Sequence, residues 1–149
     1  MSRTFCFDTN VYVDALRSAE AAAAMNDFAA RAFPLIVGHS VVASELATGA
    51  RSSRAAQAVR QLTLDRFKGE RLIAPTAADW WSAGRALATL YQTLGNRDDF
   101  SRRSFWNDVV IACSCRSRGT VLITRDPADH ARIQSVVKHA YLAPYPAIG

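Results

Sequence analysis

The sequence predicts an α/β fold in which a mainly parallel sheet carries helices on both faces. Three observations point there. Short apolar runs rich in β-forming residues, at Thr4 to Phe7, Pro34 to Gly38 and Thr120 to Thr124, alternate with longer stretches of helical character. The runs are punctuated by residues that open or close helices, such as Asp8, Ser40, Thr76 and Asp126. A chain of 149 residues also buries about two-thirds of its unfolded surface, enough for a sheet covered on both sides.

The elements follow in order. Thr4 to Phe7 reads as a strand that stops at Asp8-Thr9-Asn10, a polar cluster suited to starting a helix. Ala19 to Ala32 is Ala-rich and favours helix, and Pro34 to Gly38 reads as a buried strand closed by its glycine. Ser40 then caps a helix that carries Glu45 and ends near Gly49, and Arg51 to Phe67 reads as a further, largely basic and polar helix. Arg71 to Pro75 is the third strand. Thr76 caps a long helix to Gly95, whose Trp80, Gly84, Leu87, Tyr91 and Leu94 follow a three-four spacing assigned to core or a subunit interface. Asn96 to Arg103 is polar and reads as a loop. From Phe105 the chain is apolar almost all round, as a central helix requires, until Gly119 stops it. Thr120 to Thr124 is a strand, and Asp126-Pro127 starts the last helix with a cap and a first-turn proline. Val136-Val137 is read as a final edge strand. One domain, 1–149, is expected, with its core at about 3–142 and a tail at 143–149 containing Pro144 and Pro146.

Half the residues are hydrophobic and 21% are charged, an ordinary globular composition that excludes wholesale disorder. Eighteen basic against 13 acidic residues give a net charge of +5, and all the basic residues except Lys68 and Lys138 are arginines. The planar guanidinium suits phosphate, so the excess points to nucleic acid or an acidic protein partner. No stretch is long and apolar enough to span a membrane, and Asp8 and Asp14 interrupt what would be a signal peptide, so a cytoplasmic protein is expected. Cys6, Cys113 and Cys115 are an odd number without an export signal. Cys113 and Cys115 point about 200° apart on a helix, which places them in the core rather than on a shared metal.

Ligands of such sheets bind beyond the carboxyl ends of the strands, where both Asp8 and Asp126 fall. Each acid has an ordinary role when taken alone: helix caps for Asp8 and Asp126, a favourable helix-start charge for Asp108, an exposed position for Glu45. Glu45 fits its role least, because Val41, Val42, Ala43, Leu46 and Ala47 surround it with apolar neighbours. Brought together, the four carboxylates repel and raise one another's pKa, and a hard divalent cation such as Mg²⁺ or Mn²⁺ resolves the conflict. No His or Cys cluster competes for a zinc site.

Phe7-Asp8-Thr9-Asn10-Val11 through Asp14, Ser44-Glu45-Leu46 with Gly49, Asn107 to Ala112, and Leu122 to Asp126 followed by Asp129 to Ile133 together resemble the PIN-domain toxins of the VapC family. The resemblance implies a three-layer α/β/α fold and a Mg²⁺-dependent endoribonuclease, the toxin of a type II toxin–antitoxin pair, held by a VapB-like antitoxin and usually dimeric. By the same resemblance Asp8 and Asp108 match the principal metal ligands, Glu45 the third acid, and Thr9, Asn10, Asn107 and Thr124 supporting polar residues. The fourth acid matches Asp126, or in other relatives the position of Asp129. His130 stands where relatives usually carry Phe.

Phosphodiester hydrolysis needs an activated water, charge neutralisation and help for the leaving oxygen, all of which metal ions provide. On this reading Asp8 and Asp108 hold the metal, while Glu45 and Asp126 position a second metal or its waters. Arginines in 97–103, 51–71 or 116–125 hold the RNA backbone without reading sequence. Asp14 belongs on a helix flank. An aspartate-nucleophile phosphatase would need an acid where Asn10 stands, and a receiver domain a lysine beside the pocket. A housekeeping RNA-processing nuclease, or an inactive RNA- or antitoxin-binding module, remains the alternative to a toxin.

Overall fold

In the computed structural model, which describes residues 3–95 and 102–148, β1 (Thr4–Phe7) is the central strand of a five-stranded sheet. It is flanked by β2 (Ile36–His39) and β4 (Thr120–Ile123), and the edges are β3 (Leu72–Ile73) and β5 (Tyr141–Leu142). Every pairing is parallel, with Phe5 opposite Ile36 and Val121, Gly38 opposite Leu72, and Leu122 opposite Tyr141. All residues of β2 and β4 are buried, as strands covered on both faces must be.

The helical layers complete a three-layer α/β/α sandwich. α1 (Thr9–Arg17) and α2 (Ala19–Ala32) bring Val11, Tyr12, Met25 and Phe28 onto Phe7 and Ile36, with α3 (Ser40–Gly49) and α4 (Ser53–Leu62) adding Val42, Leu46 and Val59. A second core joins α5 (Ala77–Leu94), α6 (Arg103–Arg118) and α7 (Pro127–Gln134) through Leu87, Leu90, Phe105, Val109 and Ile133. α6 is apolar all round because it serves both cores: Val109 and Val110 enter the second, Ile111 and Cys115 the first. Gly119, in the left-handed region at φ 65°, ends it. Cys6, Cys113 and Cys115 are buried and free. Among the described residues no helix is long and apolar enough to cross a membrane.

Several sequence expectations are corrected. The buried face of α5 is Ala83, Ala86, Leu87 and Leu90, whereas Trp80 is 54% exposed and Leu94 41%. The helix is rotated because Asp79 closes a capping box with Thr76 and accepts the Ser117 hydroxyl at 2.8 Å, which turns its small residues toward α6. Val136-Val137 is no strand: both amides bond the Ile133 carbonyl in a last helical turn, and Tyr141–Leu142 forms the edge instead. The helix expected from Arg51 to Phe67 is confined to Ser53–Leu62, so that Phe67 can fold back over β2. Gly38 lies inside β2 rather than closing it, and a Cβ there would sit 2.5 Å from Phe67 Cδ2. The cap of α3 is the His39 ring, which accepts the Val41 N–H at 3.1 Å, and Ser40 is already helical. Arg71, placed by sequence among possible RNA contacts, is structural. It donates to the Ile36 carbonyl at 2.8 Å and lies 4.7 Å from the Phe33 ring centre. Positions 96–101 of the expected loop lie outside the described residues, and Arg103 begins α6.

Candidate active site

The chain leaves β1 toward β2 and β3 on one side and returns to β4 and β5 on the other, so the β1–β4 boundary is where strand order reverses. A crevice opens at the carboxyl ends of strands at such a boundary. Asp8 stands in it, 3% exposed, with its N–H bonded to the Ile123 carbonyl at 2.8 Å. Asp8 caps α1 by accepting the Thr9 N–H at 2.8 Å, and its Oδ2 accepts the Thr124 hydroxyl at 2.8 Å. Thr124 in turn accepts the Asn10 amide at 3.2 Å and the Asp126 N–H at 3.0 Å, while Asn10 Oδ1 accepts the Arg125 N–H at 3.0 Å. Asn10 and Thr124 thus tie the two strand ends together.

The helices supply the remaining acids. Glu45, half-buried on α3, accepts the Thr9 hydroxyl at 2.7 Å and the side-chain amide of Asn107. Burial, helped by the Asp8 charge, raises its pKa against those two bonds. Asp108 on α6 is pushed up to about 9, first by burial and then by Asp8, Glu45, Asp129 and Asp126. Burial also opposes the charge on Asp8, but bonds from His130, Thr124 and Thr9 outweigh it and hold that carboxyl below its ordinary value.

Asp126 is exposed and caps α7 by accepting the Asp129 N–H at 3.5 Å. Asp129 is less exposed and acts on Asp108 more strongly than Asp126 does; burial and the Asp126 charge raise its pKa, while Arg132 at 3.7 Å and Arg102 at 3.9 Å oppose the rise. Asp14 lies on the flank of α1, ion-paired with Arg125.

The tightest grouping includes a residue that the sequence reading did not place in the site. Asp8, Asp108 and His130 each set a ligating atom within 4.8 Å of the others. His130 is fully buried, with Nε2 3.2 Å from Asp8 Oδ2. Its available signal was position, one residue after Asp129 on the helix that follows the β4 acids. Two carboxylates at this spacing, one with its pKa raised by burial and by its acidic neighbours, are the donor chemistry that a divalent cation satisfies.

A parallel sheet with an acidic pocket at its switch point defines an α/β class, and the comparisons narrow it. Residues 5–135 match the PIN domain model, and the chain belongs to the PIN-domain family. PIN domains are generally nucleases that use divalent metals. No curated protein matches the sequence. Among solved structures, the chain is similar to VapBC-1 from nontypeable Haemophilus influenzae, with TM-score 0.69 and 19% identity over 94% of this chain and 97% of that one. It is also similar to DNA-bound VapBC from Salmonella typhimurium, with TM-score 0.68 and 17% identity over 95% and 98% of the two chains. VapBC2 from Rickettsia felis, bound to a promoter DNA fragment, gives TM-score 0.66 and 18% identity over 94% and 98%. At these identities the likeness is one of fold.

Proposed function

We propose that the chain is the toxin of a type II toxin–antitoxin pair, an endoribonuclease that depends on Mg²⁺ or Mn²⁺ and cleaves cellular RNA. The observation that carries this reading is the convergence of acids on Asp108: Asp8 from the end of β1, Glu45 from α3, and Asp126 and Asp129 from the start of α7. A structural cluster has no reason to assemble such repulsion, whereas a cation site does.

Asp8 and Asp108 hold the cation. Glu45, aimed by Thr9 and Asn107, and the acids Asp126 and Asp129 supply outer positions around it. A divalent cation there supplies charge neutralisation and water activation for phosphodiester hydrolysis. Arg103, exposed near Glu45, and Arg125, beside Asp14, flank the pocket and suit the RNA backbone. Solved structures similar to the chain include VapBC complexes, which supports a VapB-like antitoxin; assembly as a homodimer belongs to the same proposal. An apolar groove of about 380 Å³ lined by Val13, Leu16, Leu46 and Val59 runs up to Thr9 and Glu45, a path by which the antitoxin reaches the acids with a basic side chain.

The test is RNA-end sequencing after induction of the wild type and of Asp8→Asn, paired with cleavage assays in EDTA. New ends are expected from the wild type alone, and activity is expected to return on adding Mg²⁺ or Mn²⁺. Identical ends in both strains and no EDTA-sensitive cleavage would favour a binding module. Cleavage confined to the maturation of one RNA, with no small protein co-purifying, would favour a housekeeping nuclease.

A further inference from the structure

The chain contains three histidines, and all three are buried. His39 has both ring nitrogens engaged, Nδ1 accepting from Val41 and Nε2 bonded to Ser114 Oγ at 2.6 Å. His139 and His130 form a relay that ends in the acidic pocket.

His139 Nδ1 lies 2.9 Å from the Val137 carbonyl, which only accepts, so the hydrogen is on Nδ1. Its other ring nitrogen, Nε2, lies 3.1 Å from His130 Nδ1. Stacking of His139 on Tyr141, at 5.1 Å and 28°, holds the ring in this orientation. His130 is thereby anchored through Nδ1 and turns Nε2 into the pocket.

There Nε2 meets Asp8 Oδ2 at 3.2 Å. That oxygen already accepts the Thr124 hydroxyl, whose own lone pairs are taken by Asn10 and Asp126. A cation bound here would take the place of the hydrogen between these two atoms. With Asp108 they form a group of ligating atoms all within 4.8 Å of one another, close enough to share one ion. A ligating histidine characteristically gives its other N–H to a fixed acceptor, which His139 is for His130.

We propose that His130 is a direct nitrogen ligand of the pocket's divalent cation, and that it makes the site prefer first-row transition ions over Mg²⁺. The proposal rests on the reading of the pocket as a cation site. Mg²⁺ favours an all-oxygen shell and gains little from imidazole, whereas affinity for nitrogen-containing sites rises from Mn²⁺ toward Co²⁺ and Ni²⁺. Asp8 and Asp108 give charge, and His130 gives selectivity.

The experiment uses the full chain loaded with Mn²⁺ and read by pulsed electron paramagnetic resonance. Nitrogen-14 modulation of the bound Mn²⁺ signal is expected, converting to the nitrogen-15 pattern when only histidine is labelled. Among the described residues His130 is the histidine that sets a nitrogen among the ligating carboxylates, so the signal belongs to it. His130→Phe is expected to abolish the modulation and weaken Mn²⁺ binding about tenfold or more, with a smaller change for Mg²⁺, so that less Mg²⁺ displaces Mn²⁺. His139→Phe is expected to keep the modulation while weakening Mn²⁺. If His130→Phe does not fold, the labelling result on the wild type decides alone. Bound Mn²⁺ that is lost in Asp108→Asn yet shows no nitrogen modulation overturns the role of His130 and leaves the metal reading intact. Failure of the wild type to bind Mn²⁺ overturns both.

Discussion

Thr9 Oγ1 donates to Glu45 Oε1 at 2.7 Å, and this bond, with one from Asn107, sets the α3 acid of the pocket against the first turn of α1. Thr9 also gives its N–H to Asp8, so a single residue orients two carboxylates that come from different elements. Thr9→Val removes the hydroxyl and keeps the shape. Glu45 is then expected to lose its aim, with cation affinity falling about tenfold and cleavage falling with it. Thr9→Ser should retain both. Titration with Mn²⁺ checks this, and equal affinities for the valine and serine variants would remove Thr9 from the site.

Asp108 gives a pH signature to the metal-free protein. Its folded pKa of about 9 lies above the ordinary 3.8. For a raised group the stabilisation is complete below the unfolded value and is lost as pH rises to the folded one, so the window runs from about 4 to about 9. In EDTA the melting temperature of the wild type is expected to decline across that window, with Glu45 adding in the same direction. Asp108→Asn removes the contribution, so it should melt higher than the wild type near neutral pH in EDTA and lose the gain that the wild type shows with Mn²⁺. An unchanged pH slope in Asp108→Asn would contradict the buried, repelled carboxyl.

His39 carries the opposite sign. Burial lowers its pKa from 6.5 to about 4, against the Asp8 and Asp79 charges. Stability from a lowered group is present above the unfolded value and lost as pH falls through the folded one, here from about 6.5 to about 4, worth about 3 kcal/mol. Protonation at Nδ1 would also destroy the acceptor that caps α3. Ring resonances followed by NMR are expected to stay neutral at pH 5.5, and a midpoint near 6.5 would refute the assignment.

Gly38→Ala places a methyl 2.5 Å from Phe67 Cδ2. A loss of about 1–3 kcal/mol in urea unfolding is expected. Phe67→Leu, destabilising by itself, should cost less in the Gly38→Ala background. Additive losses would show that the ring over β2 yields freely.

Some of this was legible in the sequence for physical reasons. Asp8 and Asp126 announce themselves as polar stops after apolar strands, and Glu45 and Asp108 as carboxylates on apolar helices, where charge needs a reason. His130 gave no such sign, because one histidine in a short mixed helix reads the same in a core as in a site. Its neighbours His139 and Tyr141 lie in a segment without periodicity. The face of α5 was misread because bulky Trp80 outweighs alanine in any pattern of apolar spacing. Its rotation is decided by Asp79 and Ser117, polar residues 38 positions apart. β5 has two residues and is defined by what it pairs with, a property no local window contains.

Strand order has a consequence for the moment of birth. Asp8 and Glu45 leave the ribosome early, but Asp108 and His130 come late, and the partner of β4's outer edge is made only at Tyr141–Leu142. A chain emerging from its N-terminus holds half a pocket until the segments carrying Asp108 and His130 follow. On the proposed function, cleavage waits for α6 and α7, however early the first two acids fold.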